Sequence, residues 1–304
     1  MEYVLTANHL CKNYKHFKAL NDFSMHVPKG AIYGFVGKNG AGKTTLIRLI
    51  CGLQKPASGE YMLYGTKNTD SRILETQKRI GAVVETPSVY QNMTAEENMR
   101  EQYYLRGLPD FHDIPDILKL VGLEDTGKKK AKDFSLGMRQ RLGIAIALAG
   151  KPDMLILDEP TNGLDPQGII EIRELILKLN REQQITVLIS SHILDELSKL
   201  ATHYGFIDKG TMIKEIDAKE LERVCKKYTE LKVTDTAALA SELDQMGLQY
   251  EIQSDIQAMI YGEIPIFDLT LALAKKNCRV ISIHEHEESL ESYYINLVGG
   301  GKHE

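Results

Sequence analysis

The nine residues GKNGAGKTT carry the chemistry that is easiest to identify in this sequence. They fit the pattern G-x-x-x-x-G-K-[ST], in which glycines let backbone N–H groups curl around phosphates. Lys43 and Thr44 take the positions that serve the terminal phosphates and Mg²⁺. The sequence therefore predicts a nucleotide phosphate site made of Gly37, Lys38, Asn39, Gly40, Ala41, Gly42, Lys43, Thr44 and Thr45.

Two adjacent acids, Asp158 and Glu159, close the apolar run MLILDEP. Hydrolysis of a nucleotide needs a carboxylate for the metal, a base or orienting group for water, and positive or dipolar groups on the γ-phosphate. We expect Asp158 to hold Mg²⁺ together with Thr44, and Glu159 to polarise the attacking water. An acidic pair at a strand end can also be a solvated turn, and the phosphate motif upstream makes that interpretation the weaker one.

Regular elements must position these groups. The apolar run AIYGFV precedes the glycine-rich segment, and TLIRLICGL after it has helical spacing, which predicts a strand, a loop and a helix. An anion then lies at a helix N-terminus, where unpaired N–H groups favour negative charge. MLILDEP is typical of a central parallel strand buried on both faces, and the later strands ITVLIS and YGFID alternate with helices. The core is therefore predicted to be α/β.

Three further motifs follow in order: FSLGM at 134–138, NGLDP at 162–166 and SSH at 190–192. Together with the phosphate motif and LILDEP, they make the chain resemble the ATP-binding subunits of ATP-binding-cassette (ABC) transporters from residue 4 to about residue 220. The resemblance implies a P-loop NTPase fold, ATP and Mg²⁺ as cofactors, and ATP hydrolysis. FSLGM stands where the family has LSGGQ, and Leu136 replaces the first of its glycines.

The resemblance also implies roles for these residues. Ser135 and Gly137 contact the γ-phosphate bound to the opposite protomer, and Asp165 makes a contact across the dimer. His192 reaches the γ-phosphate and orients Glu159, the general base. Lys43 joins Glu159 and His192 as a catalytic residue, and Tyr14 matches the aromatic residue on which adenine stacks. A buried core tyrosine is the alternative for Tyr14.

Glu85 departs from the pattern, since most relatives carry glutamine at the end of the strand IGAVVET. A carboxylate can still bind nucleotide-linked Mg²⁺ or hold water, but it donates no hydrogen bond when ionised and adds negative charge beside phosphate. The acidic residue and the SLGMRQRL signature resemble the branch of bacitracin-type and lantibiotic-immunity exporters. Our hypothesis is that Glu85 couples the nucleotide state to a membrane partner and is not the main base.

The predicted organisation has two domains. Residues 1–222 form the ATPase domain, with an antiparallel β-subdomain at the start and an inserted helical subdomain over about 86–150. Residues 223–304 read as β-α-β-β-α-β followed by a helix, which predicts a small α+β ferredoxin-like accessory domain.

The composition of the chain limits the partners and the cellular location that we expect for it. The net charge of -5 argues against general nucleic-acid binding, since phosphate neutralisation needs a basic surface. No apolar stretch reaches the 18 residues of a membrane span, and the N-terminus has no signal-peptide pattern. The four cysteines show no disulfide or zinc spacing, which favours reduced thiols in the cytoplasm.

We therefore expect a cytoplasmic homodimer that closes through its nucleotide sites and binds a multispan permease at the inner face of the membrane. Two alternatives stay open at this point. One is sodium or drug efflux by a related subunit. The other is a soluble ABC ATPase that acts without a permease.

Overall fold

The computed structural model describes residues 2–108, 110–225, 228–262, 264–286 and 290–299. The strands are β1 (Tyr3–Tyr14), β2 (Phe17–Pro28), β3 (Ile32–Val36), β4 (Ser58–Leu63), β5 (Thr66–Lys67), β6 (Ile80–Val83), β7 (Met154–Asp158), β8 (Thr186–Ser191), β9 (His203–Asp208), β10 (Thr211–Asp217), β11 (Tyr228–Val233), β12 (Gln249–Ser254), β13 (Gln257–Tyr261) and β14 (Val280–His286). The α-helices are α1 (Lys43–Ile50), α2 (Ile73–Gln77), α3 (Ala95–Leu105), α4 (Ile114–Leu120), α5 (Leu136–Leu148), α6 (Pro166–Gln183), α7 (Leu194–Ser198), α8 (Ala218–Val224), α9 (Thr236–Met246), α10 (Ile266–Lys275) and α11 (Leu290–Gly299).

The chain forms two compact units, Met1–Ala218 and Lys219–Glu304. The predicted boundary after residue 222 falls inside α8, a helix that the sequence patterns did not reveal. The second unit therefore begins within that helix, four residues earlier than the predicted boundary.

A six-stranded sheet in the order β10-β9-β3-β8-β7-β6 forms the centre of the first unit. Its strands are parallel except for β10, which pairs antiparallel with β9 at one edge. Every residue of β3, β7 and β8 is buried, as expected for strands covered on both faces. The carboxyl ends of parallel strands meet at one edge of a sheet, so the segments that follow β3, β8, β7 and β6 lie side by side there.

A second sheet of the first unit has the order β2-β1-β4-β5 and is antiparallel, which confirms the predicted β-subdomain. Its apolar face shares one buried cluster with the central sheet and α1, and the rings of Phe23 and Phe35 meet there edge to face at 5.8 Å. β1 and β2 form a hairpin in which Tyr14 pairs with Phe17. The end of this hairpin lies toward the glycine-rich loop, because Phe17 and Ala19 line the same cavity as that loop.

Helices α3, α4 and α5 form the inserted helical part of the first unit. Thr94 and Glu97 form a capping box at the start of α3. α5 lies directly on β6: a Cβ on Gly81 would overlap the carbonyl oxygen of Ala147, so only glycine permits this approach. α5 begins at Leu136, directly after its N-cap Ser135.

The second unit is a four-stranded antiparallel sheet in the order β12-β13-β11-β14, with α9 and α10 inserted between strands. Its own apolar cluster includes Leu231, Leu243, Ile260 and Leu273. The element order agrees with the predicted β-α-β-β-α-β series. Assignment of this unit to the ferredoxin-like fold stays a prediction.

Within the described ranges, no helix combines the length and the apolar character needed to cross a membrane. The longest, α6, has 18 residues and is interrupted by charged side chains such as Glu171, Arg173 and Lys178.

Candidate active site

The glycine-rich loop between β3 and α1 forms a tight cradle. Gly42 is the N-cap of α1 with φ of 113°, and Gly40 has φ of 83°, both in the region that favours glycine. A Cβ on Gly42 would lie 2.5 Å from the carbonyl oxygen of Ala19, and one on Gly37 would lie 2.6 Å from Cγ2 of Ile207. Gly42 offers no side chain to cap α1, so the first N–H groups of the helix are available to an anion.

We expect Gly42→Ala to weaken ATP binding about tenfold or more, because strain of about 1–3 kcal/mol must be relieved by moving the loop out of its phosphate-binding shape. Titration of the purified protein with a fluorescent ATP analogue measures this effect. Gly30→Ala is the matched control: φ is +74° there, but no atom lies within 4 Å of the added Cβ. Equal ATP affinity in both variants would contradict the role of the glycine-rich loop in binding phosphate.

Lys43 is the buried cation of the site, with 6% of its side chain exposed. Its Nζ donates to the carbonyl oxygen of Gly37 at 2.6 Å and lies 3.2 Å from Oε1 of Glu159. A buried ammonium needs such partners to offset its desolvation. The lysine is thereby held at the loop, where it can reach phosphate oxygens.

Thr44 and Asp158 converge as the sequence predicts. Oγ1 of Thr44 donates to Oδ2 of Asp158 at 2.8 Å, and the carboxylate is 1% exposed. Ser190, the register partner of Asp158 on β8, donates its hydroxyl to Oδ1. Ser190 was missed by the sequence analysis, although it belongs to the SSH motif.

A hydroxyl and a carboxylate suit Mg²⁺, which binds one or two protein oxygens and completes its octahedron with phosphates and water. Within the part of the chain that the structure describes, no group of three or more His, Cys, Asp and Glu side chains gathers at metal-binding distance. Burial, and next the charge of Asp158, raise the pKa of the Cys51 thiol to about 12. Cys51 therefore stays protonated at neutral pH, and a protonated thiol is not a metal ligand.

Glu159 lies between Lys43 and His192. Its backbone has φ of 52°, and its N–H donates to both oxygens of Ser190, Oγ at 3.0 Å and the carbonyl at 3.2 Å. Oε1 faces Lys43, and Oε2 lies 2.5 Å from Nδ1 of His192, which follows β8. The structure thus brings together the three predicted catalytic residues, Lys43, Glu159 and His192, in one chain of contacts.

A cavity of about 220 Å³ occupies the space over the glycine-rich loop. It is lined by Phe17, Ala19, Asn39, Gly40, Gly42, Lys43, Thr44, Thr45 and Glu159. Tyr14 is not among these residues. Its hydroxyl donates to Oε1 of Gln54, and Nζ of Lys12 lies 5.5 Å from its ring centre. Phe17 is 58% exposed at the cavity wall, so it is a second candidate to stack on adenine beside Tyr14, whose role stays a prediction.

Ser135, Gly137 and Asp165 meet at a different cavity, of about 450 Å³, which shares no lining residue with the first. Oγ of Ser135 accepts from the N–H of Met138 at 3.2 Å and so caps α5. Oδ1 of Asp165 accepts from the N–H of Gly168 at 3.1 Å and caps α6. Leu136 is the first residue of α5 with ordinary helical backbone, so the backbone conformation at this position does not require glycine.

Glu85 lies outside the phosphate cavity. β6 ends at Val83, two residues before the predicted end, and Glu85 follows in a bend with φ of 61°. Its Oε1 is 2.5 Å from Nη2 of Arg48 on α1, a partner that the sequence analysis missed. Its predicted contact with Mg²⁺ therefore stays a prediction.

Comparison with known proteins agrees with these motifs. Residues 20–162 match the family described as ABC transporter. The chain is 40% identical over 304 residues to the bacitracin transport ATP-binding protein BcrA of Bacillus licheniformis, with 99% of each chain covered. It is 43% identical over 219 residues to the lantibiotic transport ATP-binding protein SrtF of Streptococcus pyogenes, covering 71% of this chain and 93% of that protein.

Among solved structures, the dimeric ATP-binding cassette MJ0796 in a post-hydrolysis state, bound to ADP and Pi, matches with a TM-score of 0.63 at 25% identity. That match covers 70% of this chain and 98% of the other. The likeness extends to a protein whose site holds the products of ATP hydrolysis.

Proposed function

Because the chain belongs to the family of ABC transporter ATP-binding proteins, we propose that it is the ATP-hydrolysing subunit of an exporter whose permease is a separate protein. Two copies associate head to tail, and each of two shared sites holds one ATP with Mg²⁺. The motor drives export of a peptide antibiotic.

One observation supports the proposed dimer: the phosphate cradle and the segment with Ser135 line separate cavities of one chain. Phosphoryl transfer needs positive or dipolar groups directed at the γ-phosphate. The N-terminus of α5 is such a dipole, and within one chain it lines a different cavity from the loop after β3. A second copy supplies it in this proposal.

The residues around the proposed phosphate site have different roles in hydrolysis. Lys43 binds terminal phosphate oxygens and leaves Oε1 of Glu159 free to accept a proton from water. His192 stays on Oε2 and fixes the orientation of that carboxylate. Thr44 and Asp158 hold Mg²⁺, which neutralises charge on the phosphate oxygens when it is bound.

The transported substrate is proposed from the relatives. BcrA, similar over nearly the whole chain, is named for bacitracin transport, and SrtF for lantibiotic transport. Both names refer to peptide antibiotics, so a compound of this kind is the proposed cargo.

The helical part after Glu85 is the proposed docking surface for the permease. It exposes large apolar side chains that a monomer does not need at its surface: Tyr90 is 50% exposed, Tyr104 65% and Leu105 67%. Docking there places the protein at the inner face of the cell membrane.

Co-expression with the membrane protein encoded beside it tests this function. We expect the tagged chain to recover a multispan partner from detergent-solubilised membranes, and the pair to raise the bacitracin concentration that a sensitive bacterium tolerates. The variant Glu159→Gln should still recover the partner but confer no resistance. Failure to recover any multispan protein would count against a permease-coupled motor, and recovery without resistance would count against this cargo.

A further inference from the structure

Thr44 and Arg48 lie on the same face of α1, four residues apart and about 6 Å along the helix axis. Thr44 donates to Asp158, the proposed metal ligand, and Arg48 pairs with Glu85 at 2.5 Å. The carboxylate of Glu85 is therefore held one helical turn away from the phosphate and metal groups. α1 joins the two positions rigidly.

The segment that carries Glu85 is also fixed to α5. Pro87 lies so close to this helix that a Cβ on Gly143 would be 2.7 Å from the Cβ of Pro87. Gly81, before Glu85, contacts the backbone of α5 at Ala147 in the same way. The segment is therefore in contact with both α5 and Arg48 of α1.

The charge of Glu85 gives its partner Arg48 a role beside the nucleotide site. A carboxylate beside a triphosphate raises the local negative charge, and a guanidinium in contact with that carboxylate compensates for it. The left-handed backbone of Glu85 is unusual for a residue other than glycine, asparagine or aspartate, which suggests that surrounding contacts hold it.

We propose that Arg48 is a positioning residue that neutralises Glu85 and connects the phosphate-binding helix α1, through residues 85–87, to α5 with Ser135 at its N-terminus. This inference rests on the proposed use of the site for ATP and Mg²⁺. Stability is not its main effect, because Arg48 is 36% and Glu85 55% exposed, and exposed ion pairs contribute little to folding.

A double-mutant cycle tests the coupling, with kcat of ATP hydrolysis, ATP affinity and melting temperature measured for each purified full-length variant. We expect Arg48→Ala to lower kcat about fivefold with ATP affinity unchanged, and to have almost no effect in the Glu85→Gln background, because interacting pairs are not additive. Arg48→Lys should recover most of the turnover, since it restores the positive charge.

Arg79→Ala is the matched control. Arg79 precedes β6 and pairs with Asp153 at 2.6 Å, with 48% and 54% of the two side chains exposed, at the end of the strand opposite to Glu85. The kcat of the Arg79→Ala variant should equal that of the wild type. The proposal is overturned if Arg48→Ala leaves kcat unchanged, or lowers it equally with Glu85 and with Gln at position 85. A wild-type protein that fails to hydrolyse ATP would instead overturn the proposed function, and this inference with it.

Discussion

Replacing Glu159 by glutamine is expected to reduce kcat of ATP hydrolysis by about 10²–10⁴-fold, the usual contribution of a positioned general base. The amide has nearly the same shape, so it can keep its contact with Nδ1 of His192. It cannot accept a proton from water at neutral pH. ATP still binds, because the glycine-rich loop and Lys43 are unchanged, and we expect ATP-bound dimers to accumulate in size-exclusion chromatography.

Glu85→Gln provides the comparison for this experiment, since it makes the same chemical change at a carboxylate outside the phosphate cavity. We expect it to keep measurable turnover. If Glu85→Gln abolished hydrolysis and Glu159→Gln spared it, the roles assigned to the two residues would be wrong.

Two inactive variants are expected to restore activity when they are combined in one dimer. Lys43→Ala removes the buried cation of the phosphate cavity, and Ser135→Asp places a negative charge where the γ-phosphate is proposed to bind. Aspartate is a good N-cap, so α5 keeps its start. In a heterodimer isolated with two affinity tags, one of the two composite sites has neither substitution, and we expect about half of the wild-type turnover from a two-fold dimer.

The matched control combines Lys43→Ala with Asp158→Asn, which alter the same half of the site. Each composite site of that heterodimer carries one defect, so turnover should stay at background. Ser135→Asn, neutral and also a good cap, should remain active as a homodimer. An inactive Lys43→Ala and Ser135→Asp heterodimer would mean that both halves act within one chain.

Local chemistry made the phosphate cradle predictable. The positive φ angles of Gly40 and Gly42 depend on residue type within the loop itself, and the strand and helix around it follow from their own apolar spacing. The same holds for Thr94 and Glu97, whose capping box spans only one turn. Signals of this kind lie within a few residues of the groups that they position.

Contacts between distant segments could not be predicted in this way. Ser190 bonds Asp158 because β7 and β8 pair in a particular register, and Arg48 reaches Glu85 because β6 ends at Val83. Neither register nor strand end follows from periodicity. The sequence also gave no sign of Phe17 at the phosphate cavity, since this depends on how the β1–β2 hairpin lies against the loop.

Two apolar clusters among the described residues have separate memberships. One draws on residues from Val4 to Ile207, the other on residues from Leu231 to Cys278, and they have no residue in common. A substitution in the second cluster therefore changes none of the residues of the first cluster, which packs beneath the phosphate loop. Evolution can therefore change the residues of the second cluster without changing those packed beneath the phosphate loop.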